Sequence, residues 1–355
     1  MSTAEELESL KAENDAPEWL TEESYRMLRG TYLLEGETPR QMWQRVSNSS
    51  ARHLNRMDLA EKFFELMWKN WLGLATPVAA NTGTTRGLPI SCFSLAVPDS
   101  IDGIMSSMHE LAAMTKNGGG VGVHWNGVRS QGSSIRGNGK SEGVVPFIKI
   151  QDSTTIGVSQ GGVRRGASAA YLPVDHGDFW QFIRMRRPEG DQNRQCLNTH
   201  HGICITDDFI ARAKAGDKEA REKWGEILKA RMETGEPYLF FTDNVARNRP
   251  DCYKERNLDV KGSNICTEIF LHTDDEHSFV CCLSSMNLAR WNEWKDTDAV
   301  ELATWFLDGI LSEFIIKASE ISGFERAVRS AEKGRAIGLG AMGFHTYLQE
   351  HMVPV

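Results

Sequence analysis

Residues 117–124 read Asn-Gly-Gly-Gly-Val-Gly-Val-His, and this stretch predicts the passage from a helix into a buried strand. On its N-terminal side, Asp99 and Ser100 form a predicted cap for a helix over residues 101–116. The three glycines are the residues expected just past a helix C-terminus. The Val-Gly-Val-His segment that follows has the length and composition of a short strand. A helix that leads directly into a strand is the building unit of α/β folds.

The same alternation of strands and helices continues through the middle of the chain. Predicted strands cover residues 90–95, 167–172 and 202–205. Predicted helices cover residues 146–155, 175–185 and 208–234, and the last of these is charged and forms one helix or two. A Gly/Ser-rich loop spans residues 129–144. Strands that alternate with helices indicate an α/β architecture with parallel strands.

The two ends of the chain are predicted to differ from this middle part. Residues 1–16 are acidic and polar, and we expect a disordered leader there. Residues 17–75 carry apolar residues at helical spacing, which predicts an amino-terminal helical region. The remainder, residues 76–355, opens with a loop rich in Thr, Gly and Pro and includes a strongly apolar helix at residues 301–321. We treat it as one α/β domain, because the sequence contains no linker long enough to separate independent domains.

The composition excludes several classes of protein. The 355 residues carry a formal net charge of −8, which argues against a general nucleic-acid surface, so no DNA binding is expected. The acidic start does not resemble a signal or transit peptide, and no apolar run approaches the roughly 20 residues of a membrane helix. Seven cysteines without the spacing of a secreted scaffold indicate reduced thiols and a cytoplasmic location.

The candidate chemistry begins at residues 262–269, which read Gly-Ser-Asn-Ile-Cys-Thr-Glu-Ile. Cys266 has an amide two residues before it, at Asn264, and a carboxylate two residues after it, at Glu268. No histidine adjoins the cysteine to deprotonate it, so the segment is poorly placed for ordinary nucleophilic catalysis. It suits hydrogen-atom abstraction from a polyhydroxylated substrate, with the amide and the carboxylate handling the hydroxyl protons. Without these neighbours, a lone cysteine is more often a small buried hydrophobe.

Three further segments accompany this one. They are Ser-Cys-Phe at residues 91–93, Cys-Cys-Leu-Ser-Ser-Met-Asn-Leu at residues 281–288, and Ser-Gln-Gly-Gly-Val-Arg-Arg-Gly-Ala at residues 159–167. Together the four segments resemble the large subunit of class I ribonucleotide reductase, with the T4-like phage type as the nearest variety, and the resemblance runs from about Pro17 to Tyr347. It implies an α/β fold: an amino-terminal helical region followed by the first half, and the start of the second half, of a ten-stranded α/β barrel with a catalytic finger loop.

The resemblance implies roles for the central segment. Cys266 would carry a transient thiyl radical that removes the 3′ hydrogen of a ribonucleotide. Glu268 would act as the base at the 3′ hydroxyl, and Asn264 would hydrogen-bond the sugar hydroxyls, so that both also bind the substrate.

A second implied role is reduction. Loss of a 2′ hydroxyl needs two electrons, and a dithiol that becomes a disulfide supplies two electrons. The family's reducing pair corresponds to Cys92 and Cys281, although strand cysteines are most often packing residues. Cys282 should face the other side of its strand, because side chains alternate along a strand, so we assign it a structural role. The reverse assignment of Cys281 and Cys282 is the alternative.

Nucleotide contacts are implied in two places. The positions that match substrate contacts are Thr76, Ser91 and Gly120, and ordinary turn chemistry explains these residues equally well. The positions that match an allosteric effector site for substrate specificity are Asp99, Ser100, Ile101, Arg129, Arg136, Gln160 and Arg164. Its arginines lie in glycine-rich loops, where guanidinium groups and exposed backbone amides together suit a polyphosphate. For a single arginine, a solvated loop charge is the common alternative.

One cluster of cysteines and histidines resembles a metal site. The spacing of Cys196, His200, His201 and Cys204 resembles a zinc cluster, but the segment has no Cys-x-x-Cys knuckle and Cys204 falls within a predicted strand. The family places no metal there. We therefore assign no metal ligands in this chain.

The resemblance further implies the molecules that work with this chain. No cofactor is expected to bind it directly. We expect deoxynucleotide and ATP effectors, a thioredoxin- or glutaredoxin-type reductant, and a small subunit with a metal-radical cofactor. The family's second phosphate loop, tyrosine pair and tail cysteines are not in the sequence. We expect this chain to be the first part of a split large subunit, active only with a complementing carboxy-terminal half. The completed subunit should dimerise through the helices near residues 101–116 and 146–155.

Two other functions remain open at this point. A cobalamin-dependent class II reductase shares the barrel and the cysteines but needs no small subunit, so adenosylcobalamin would distinguish it. A non-catalytic nucleotide-binding or assembly module would keep its cellular role after a Cys266→Ala substitution.

Overall fold

The computed structural model of the protein describes residues 2–90, 92–159 and 165–354. The chain divides into two compact units. The first unit comprises Met1–Ser91, Cys281–Glu320 and Ala331–Val355, and the second comprises Cys92–Val280 and Ile321–Ser330. Among the described residues, no helix has both the length and the apolar character required to cross a membrane.

The α-helices are numbered in chain order. They are α1 (Thr3–Ala12), α2 (Glu22–Met27), α3 (Pro39–His53), α4 (Ala60–Trp68), α5 (Thr76–Asn81), α6 (Ile101–Lys116), α7 (Val145–Val158), α8 (Phe179–Phe182), α9 (Asp207–Ala215), α10 (Lys218–Thr234), α11 (Thr242–Asn248), α12 (Asp251–Glu255), α13 (Trp291–Trp294), α14 (Ala299–Ala318), α15 (Glu325–Gly334) and α16 (Phe344–Glu350). The strands are β1 (Leu72–Leu74), β2 (Cys92–Ala96), β3 (Gly120–His124), β4 (Ala167–Pro173), β5 (His200–Ile205), β6 (Tyr238–Phe241), β7 (Phe279–Asn287) and β8 (Ile337–Met342).

The second unit is an α/β structure built on five parallel strands. β2 pairs with β3, β3 with β4, β4 with β5 and β5 with β6, each in parallel register. All residues of β2 and β3 are buried, as expected for parallel strands that are covered on both faces. Helices α6 and α7 follow β2 and β3 in the chain and pack against each other. The predicted α/β class and the parallel strands are therefore confirmed.

The first unit is mainly helical, and a buried carboxylate joins its helices. Glu313 on α14 accepts hydrogen bonds from the Ser49 hydroxyl on α3 at 2.8 Å and from the Gly83 backbone N–H at 2.8 Å. Lys317, one turn further along α14, lies 2.5 Å from the same carboxylate. A buried charge is stable only when it is paired and hydrogen-bonded. Glu313 satisfies both conditions, so it fixes α14 against α3.

The strands of the first unit meet on β7. Leu72 of β1 lies opposite Met286 in an antiparallel pair, and Cys282 lies opposite Ile337 of β8 in a parallel pair. Gly338 of β8 makes room for a cysteine, because a Cβ atom at this position would lie 2.8 Å from the Cys281 Sγ.

The disordered leader predicted for residues 1–16 is corrected by the structure. Helix α1 occupies most of this segment and begins with a capping box, in which Ser2 and Glu5 each bind the backbone N–H of the other. Leu7 and Ala16 are buried in a small core with Leu20 and Tyr25. An acidic segment folds here because its few apolar residues have a surface to cover and its first turn is capped.

Two further segments differ from their predicted conformation. Residues 76–81, predicted as loop, form α5, which has a proline at its second position, a position that proline tolerates because its missing N–H is not needed. The helix predicted over residues 175–185 is reduced to α8, Phe179–Phe182, with hydrogen-bonded turns before and after it. The predicted helix at residues 101–116 has the bounds of α6.

Candidate functional site

The segment between α12 and β7, residues 256–278, contains no helix or strand and is called the finger loop below. Its tip, residues 262–269, turns at Cys266, where the backbone N–H of Thr267 bonds the Asn264 carbonyl at 3.4 Å. Thr267 has a φ of 66°, in the left-handed region that a β-branched residue rarely adopts. The side chains of Cys266 and Glu268 are exposed, whereas Asn264 is buried.

The amide of Asn264 organises the tip. Its Nδ2 donates to the Glu268 carboxylate at 2.8 Å. Its Oδ1 accepts from the backbone N–H groups of Glu268 and Ile269, both at 3.2 Å, and from the Ser263 hydroxyl at 3.1 Å. The amide and the carboxylate predicted to flank the cysteine therefore bind each other, with Cys266 at the turn between them.

The tip rests directly on β3. A Cβ atom at Gly122 would lie 1.9 Å from the Ser263 carbonyl oxygen, and one at Gly262 would lie 2.6 Å from the His124 Nε2. The His124 Nε2 lies 3.0 Å from the Ser263 carbonyl oxygen and 2.8 Å from the Ser94 hydroxyl. Because a carbonyl only accepts, Nε2 carries the proton. Burial lowers the pKa of His124 to about 4, which keeps the ring neutral in this role.

A tyrosine from β4 also holds the tip. The Tyr171 hydroxyl donates to the Asn264 carbonyl at 2.6 Å and lies 2.7 Å from the Thr267 hydroxyl. Burial raises the pKa of Tyr171 well above its usual value, so the hydroxyl remains a donor. The pKa of Tyr238 on β6 is raised, mainly by burial and then by electrostatic interaction with Glu236 and Cys266. Tyr238 is therefore close enough to the Cys266 thiol to interact with it electrostatically.

The predicted reducing and substrate residues lie in both units. In the second unit, Cys92 of β2 is the direct register partner of Gly120 of β3, and both are buried. Cys281 lies in the first unit beside Cys282, both buried on one continuous strand, so their side chains point to opposite faces. Thr76 begins α5, and its hydroxyl lies 2.9 Å from the Tyr32 hydroxyl. Ser91 lies outside the described residues.

The predicted effector residues line one pocket of about 490 Å³ in the second unit, together with Lys140, Ile135 and Phe147. Asp99, Ser100, Ile101, Arg129 and Arg136 belong to this lining. The Arg129 Nε lies 2.9 Å from the Asp99 carboxylate, which holds the guanidinium in place. Sequence reasoning missed Lys140, since a single lysine in a glycine-rich loop carries no motif. Gln160 and Arg164 lie outside the described residues.

The zinc-like spacing at residues 196–204 does not form a cluster in the structure. His200 and His201 each place Nδ1 on the Glu236 carboxylate, at 2.5 and 3.1 Å. Cys204 lies on β5, where burial raises the pKa of its thiol to about 12, so it is a poor candidate for a thiolate ligand.

Comparison with known proteins defines the family. The ribonucleotide reductase all-alpha domain model matches residues 18–87, and the barrel domain model of the same enzyme matches residues 90–220 and 213–354. The chain therefore belongs to the ribonucleotide reductase large-subunit family, and the family inferred from the sequence is confirmed. Its T4-like phage subtype stays a prediction.

Individual relatives agree with this assignment. The chain is 42% identical over 313 residues to the putative ribonucleoside-diphosphate reductase large subunit of Frog virus 3 (isolate Goorha), covering 84% of this chain and 54% of the relative. It is 30% identical over 369 residues to the large subunit of Invertebrate iridescent virus 3, with 84% and 57% covered. The solved alpha subunit of Actinobacillus ureae class Id ribonucleotide reductase matches with a TM-score of 0.88 and 39% identity, over 95% of this chain and 62% of that one. The chain thus spans little more than half the length of these viral relatives.

Proposed function

We propose that this chain supplies the radical-bearing finger and the effector pocket of a ribonucleoside-diphosphate reductase, which reduces ribonucleotides to deoxyribonucleotides. The arrangement of the finger tip carries the proposal: the Asn264 amide holds the Glu268 carboxylate at 2.8 Å, with the exposed Cys266 at the turn between them. The names of the viral relatives support a diphosphate substrate. The sequence matches only part of each of these relatives. We therefore propose the activity for an assembled enzyme that also contains the rest of the large subunit, whether on the same chain or on another.

Each residue at the tip has a task that matches its environment. Cys266, as a thiyl radical, removes the hydrogen at C3′, and Glu268 takes the proton of the 3′ hydroxyl. Asn264 is buried and donates to Glu268, so its first task is to position that carboxylate. Contact of Asn264 with the sugar hydroxyls is a second task, reached once a substrate lies on the tip. The tip is held by its contacts with Gly122, His124 and Tyr171, which are called the clamp. The clamp keeps the thiol, the carboxylate and the amide in a fixed arrangement.

The reduction is completed by two cysteines. The 2′ hydroxyl leaves as water, and the thiols of Cys92 and Cys281 give up two electrons and two protons as they form a disulfide. A thioredoxin- or glutaredoxin-type reductant then reopens the disulfide. Gly120 is the register partner of Cys92 and carries no side chain. Gly120, Thr76 and Ser91 are proposed to complete the substrate contacts.

The radical comes from outside this chain. Because the solved neighbour is a class Id alpha subunit, we assign the chain to class I, in which a metal-radical cofactor in a small subunit supplies the oxidising equivalent. The chain's own part is to hold Cys266 exposed on a rigid tip, where it exchanges a hydrogen atom.

A pair of cysteine substitutions tests the proposal. Cys266→Ser should abolish turnover in the assembled enzyme and leave nucleotide binding intact, because a hydroxyl does not serve as the radical carrier. Cys252→Ser is the matched control, since Cys252 is also exposed and lies on α12, outside the finger loop. Turnover by the Cys266→Ser enzyme at the control rate would remove Cys266 from the mechanism.

The reducing pair has a similar internal control. Cys281→Ser should stop the reaction after its first steps, whereas Cys282→Ser, which changes the neighbouring buried thiol, should still give multiple turnovers. The opposite pattern, measured as deoxynucleotide formed per enzyme over many cycles, would reverse the assignment of the two cysteines.

The pocket around Arg129 is proposed to bind a deoxynucleoside triphosphate or ATP that sets substrate choice. Three cations, Arg129, Arg136 and Lys140, share the pocket with apolar side chains such as Phe147, which suits a phosphate tail beside a base. Arg129→Ala should weaken effector binding by about 10-fold or more and leave substrate binding unchanged. Arg26→Ala, which removes an exposed arginine on α2, is the control. Equal losses for effector and substrate would place the site elsewhere.

Helices α6 and α7 are proposed to form the dimer interface of the assembled subunit. They expose large apolar side chains, with Met105 49% exposed on α6 and Ile156 51% exposed on α7. Exposed apolar groups that cluster on packed helices mark an association surface. Met105→Glu combined with Ile156→Glu should yield monomers in sedimentation experiments, while Met232→Glu, at a 90% exposed position on α10, should not. Dimers that persist in the double variant would contradict this interface.

A further inference from the structure

Just beyond the finger tip, three potential metal ligands converge on one turn. His272, Asp274 and His277 place one nitrogen or oxygen each within 4.8 Å of one another. The His272 Nε2 lies 3.0 Å from Asp274 Oδ2, and the His277 Nδ1 lies 2.9 Å from Asp274 Oδ1. The two histidines thus contact different oxygens of the one carboxylate. Zinc bonds of about 2.0–2.1 Å place tetrahedral ligand atoms about 3.3 Å apart, which is close to each of these two nitrogen–oxygen separations.

The hydrogen bonds of His272 are those of a metal ligand. Its Nδ1 lies 2.7 Å from the backbone carbonyl of Asp259, and a carbonyl only accepts, so Nδ1 carries the proton. In the neutral ring, Nε2 then presents a lone pair to the Asp274 carboxylate, which also carries only lone pairs. The contact is favourable only if a cation lies between the two or if the ring takes a second proton. Metal-binding histidines commonly donate their other N–H to a backbone carbonyl in this way.

The backbone keeps the three ligands together. The Asp274 N–H bonds the His277 carbonyl at 3.0 Å, and the Glu276 N–H bonds Asp274 Oδ1 at 2.8 Å, which closes the turn. The side chains of His272 and His277 are 17% and 21% exposed. The ligands therefore sit on a fixed turn that still has access to solvent for a fourth ligand.

We propose that His272, Asp274 and His277 form a site for a divalent transition-metal ion, with zinc as the best match and water as the fourth ligand. Two imidazoles and one carboxylate suit zinc and related first-row ions rather than calcium or magnesium. The site connects the two sides of the finger loop. His272 follows the tip in sequence, and its side chain donates a hydrogen bond to the backbone carbonyl of Asp259, which precedes the tip. Its role is structural and is independent of the proposed reductase activity.

Zinc titration of the chelator-treated protein tests the site. Wild type should bind one zinc ion per chain by calorimetry and metal analysis, and Asp274→Asn should weaken binding about 100-fold or more. His277→Gln provides a second ligand variant in case the first one misfolds. Asp275→Asn, the same chemical change at the exposed neighbouring residue, should bind zinc as wild type does. Zinc should also slow hydrogen exchange several-fold in peptides covering residues 256–278 of wild type.

Cobalt substitution separates this site from the seven cysteines. A His/Asp site gives cobalt ligand-field absorption without a thiolate charge-transfer band. The proposal is overturned if zinc does not bind in the micromolar range, if Asp274→Asn and Asp275→Asn bind equally, or if the bound cobalt shows a thiolate band. Hydrogen exchange in residues 256–278 that does not respond to zinc also overturns the proposal.

Discussion

Replacing Gly122 by alanine places a methyl group where the finger tip rests on β3. The added Cβ would lie 1.9 Å from the Ser263 carbonyl oxygen and 3.0 Å from the Asn264 Cα. Comfortable contacts between nonbonded heavy atoms need roughly 3.5 Å. Both obstacles are backbone atoms, so no side-chain rotation relieves the overlap. Because β3 is held by β2 and β4 on its two sides, the tip has to move by more than about 1 Å.

The movement has two measurable costs. Overpacking costs typically about 1–3 kcal/mol, and the hydrogen bonds from His124 and Tyr171 to the tip are stretched at the same time. A loss of about 2 kcal/mol lowers the melting temperature of a unit of this size by roughly 4–8 °C. A 1 Å misplacement of reacting groups lowers turnover by about 100-fold. Hydrogen exchange in residues 256–278 should become faster.

Gly225→Ala is the matched control for this substitution. Gly225 lies on the exposed side of α10, and a Cβ atom there meets nothing within 4 Å. Alanine in a helix interior is favoured over glycine by about 1 kcal/mol, so this variant should melt at or above the wild-type temperature. If Gly122→Ala behaves like Gly225→Ala, with unchanged hydrogen exchange in the finger loop, the close approach of the tip to β3 is wrong.

Three further outcomes follow from buried polar groups. In the unfolded chain His124 takes up a proton below about pH 6.5, whereas in the folded chain its pKa is lowered to about 4. The free energy of unfolding should therefore decrease by about 3 kcal/mol as the pH falls from about 6.5 to about 4. Denaturant unfolding of wild type and His124→Asn across pH 4–7.5 checks this, and parallel curves would contradict it. Tyr171→Phe removes the donor to the Asn264 carbonyl and should cost about 1–3 kcal/mol, seen as faster proteolysis at the tip; unchanged cleavage would speak against the clamp. Arg326→Met removes the ion-pair partner of the buried Glu110, whose pKa is raised by burial. The melting temperature should fall at pH 8, where an unpaired carboxylate is charged, and should fall less at pH 5. A loss that is the same at both pH values would exclude this explanation.

Local signals allowed much of the second unit to be predicted. Helix α6 has its predicted bounds because Ser100 caps its start, accepting from the Gly103 N–H at 3.0 Å, and glycines follow its end. The strands β3, β4 and β5 followed from short apolar runs. Strand β6, Tyr238–Phe241, was not predicted, although Gly235 and Pro237 mark the end of α10 directly before it. Helix α1 was not predicted because its acidic, polar composition is typical of a disordered segment, although Ser2 and Glu5 have the spacing of a capping box.

The candidate site was predictable only where its parts are close in sequence. Asn264 and Glu268 are four residues apart, and their mutual hydrogen bond follows the pattern read there. The residues that hold the tip, Gly122, His124 and Tyr171, come from β3 and β4, about 90 residues or more before it. Nothing in their local sequence marks them, because their role depends on which strand the finger loop crosses. The histidines of the proposed metal site, His272 and His277, do not match a zinc-knuckle motif, so their sequence gives no metal signal.

The left-handed conformation of Thr267 has a consequence for the exposed Cys266 thiol next to it. Such a conformation costs of the order of 1–3 kcal/mol for a β-branched residue, and the contact of its hydroxyl with Tyr171 at 2.7 Å offsets part of that cost. The strained turn is therefore held in its conformation by a hydrogen bond to Tyr171 on β4. For the radical proposed on Cys266, a turn held in this way would confine the sulfur to a small volume and so slow its reaction with the surrounding protein.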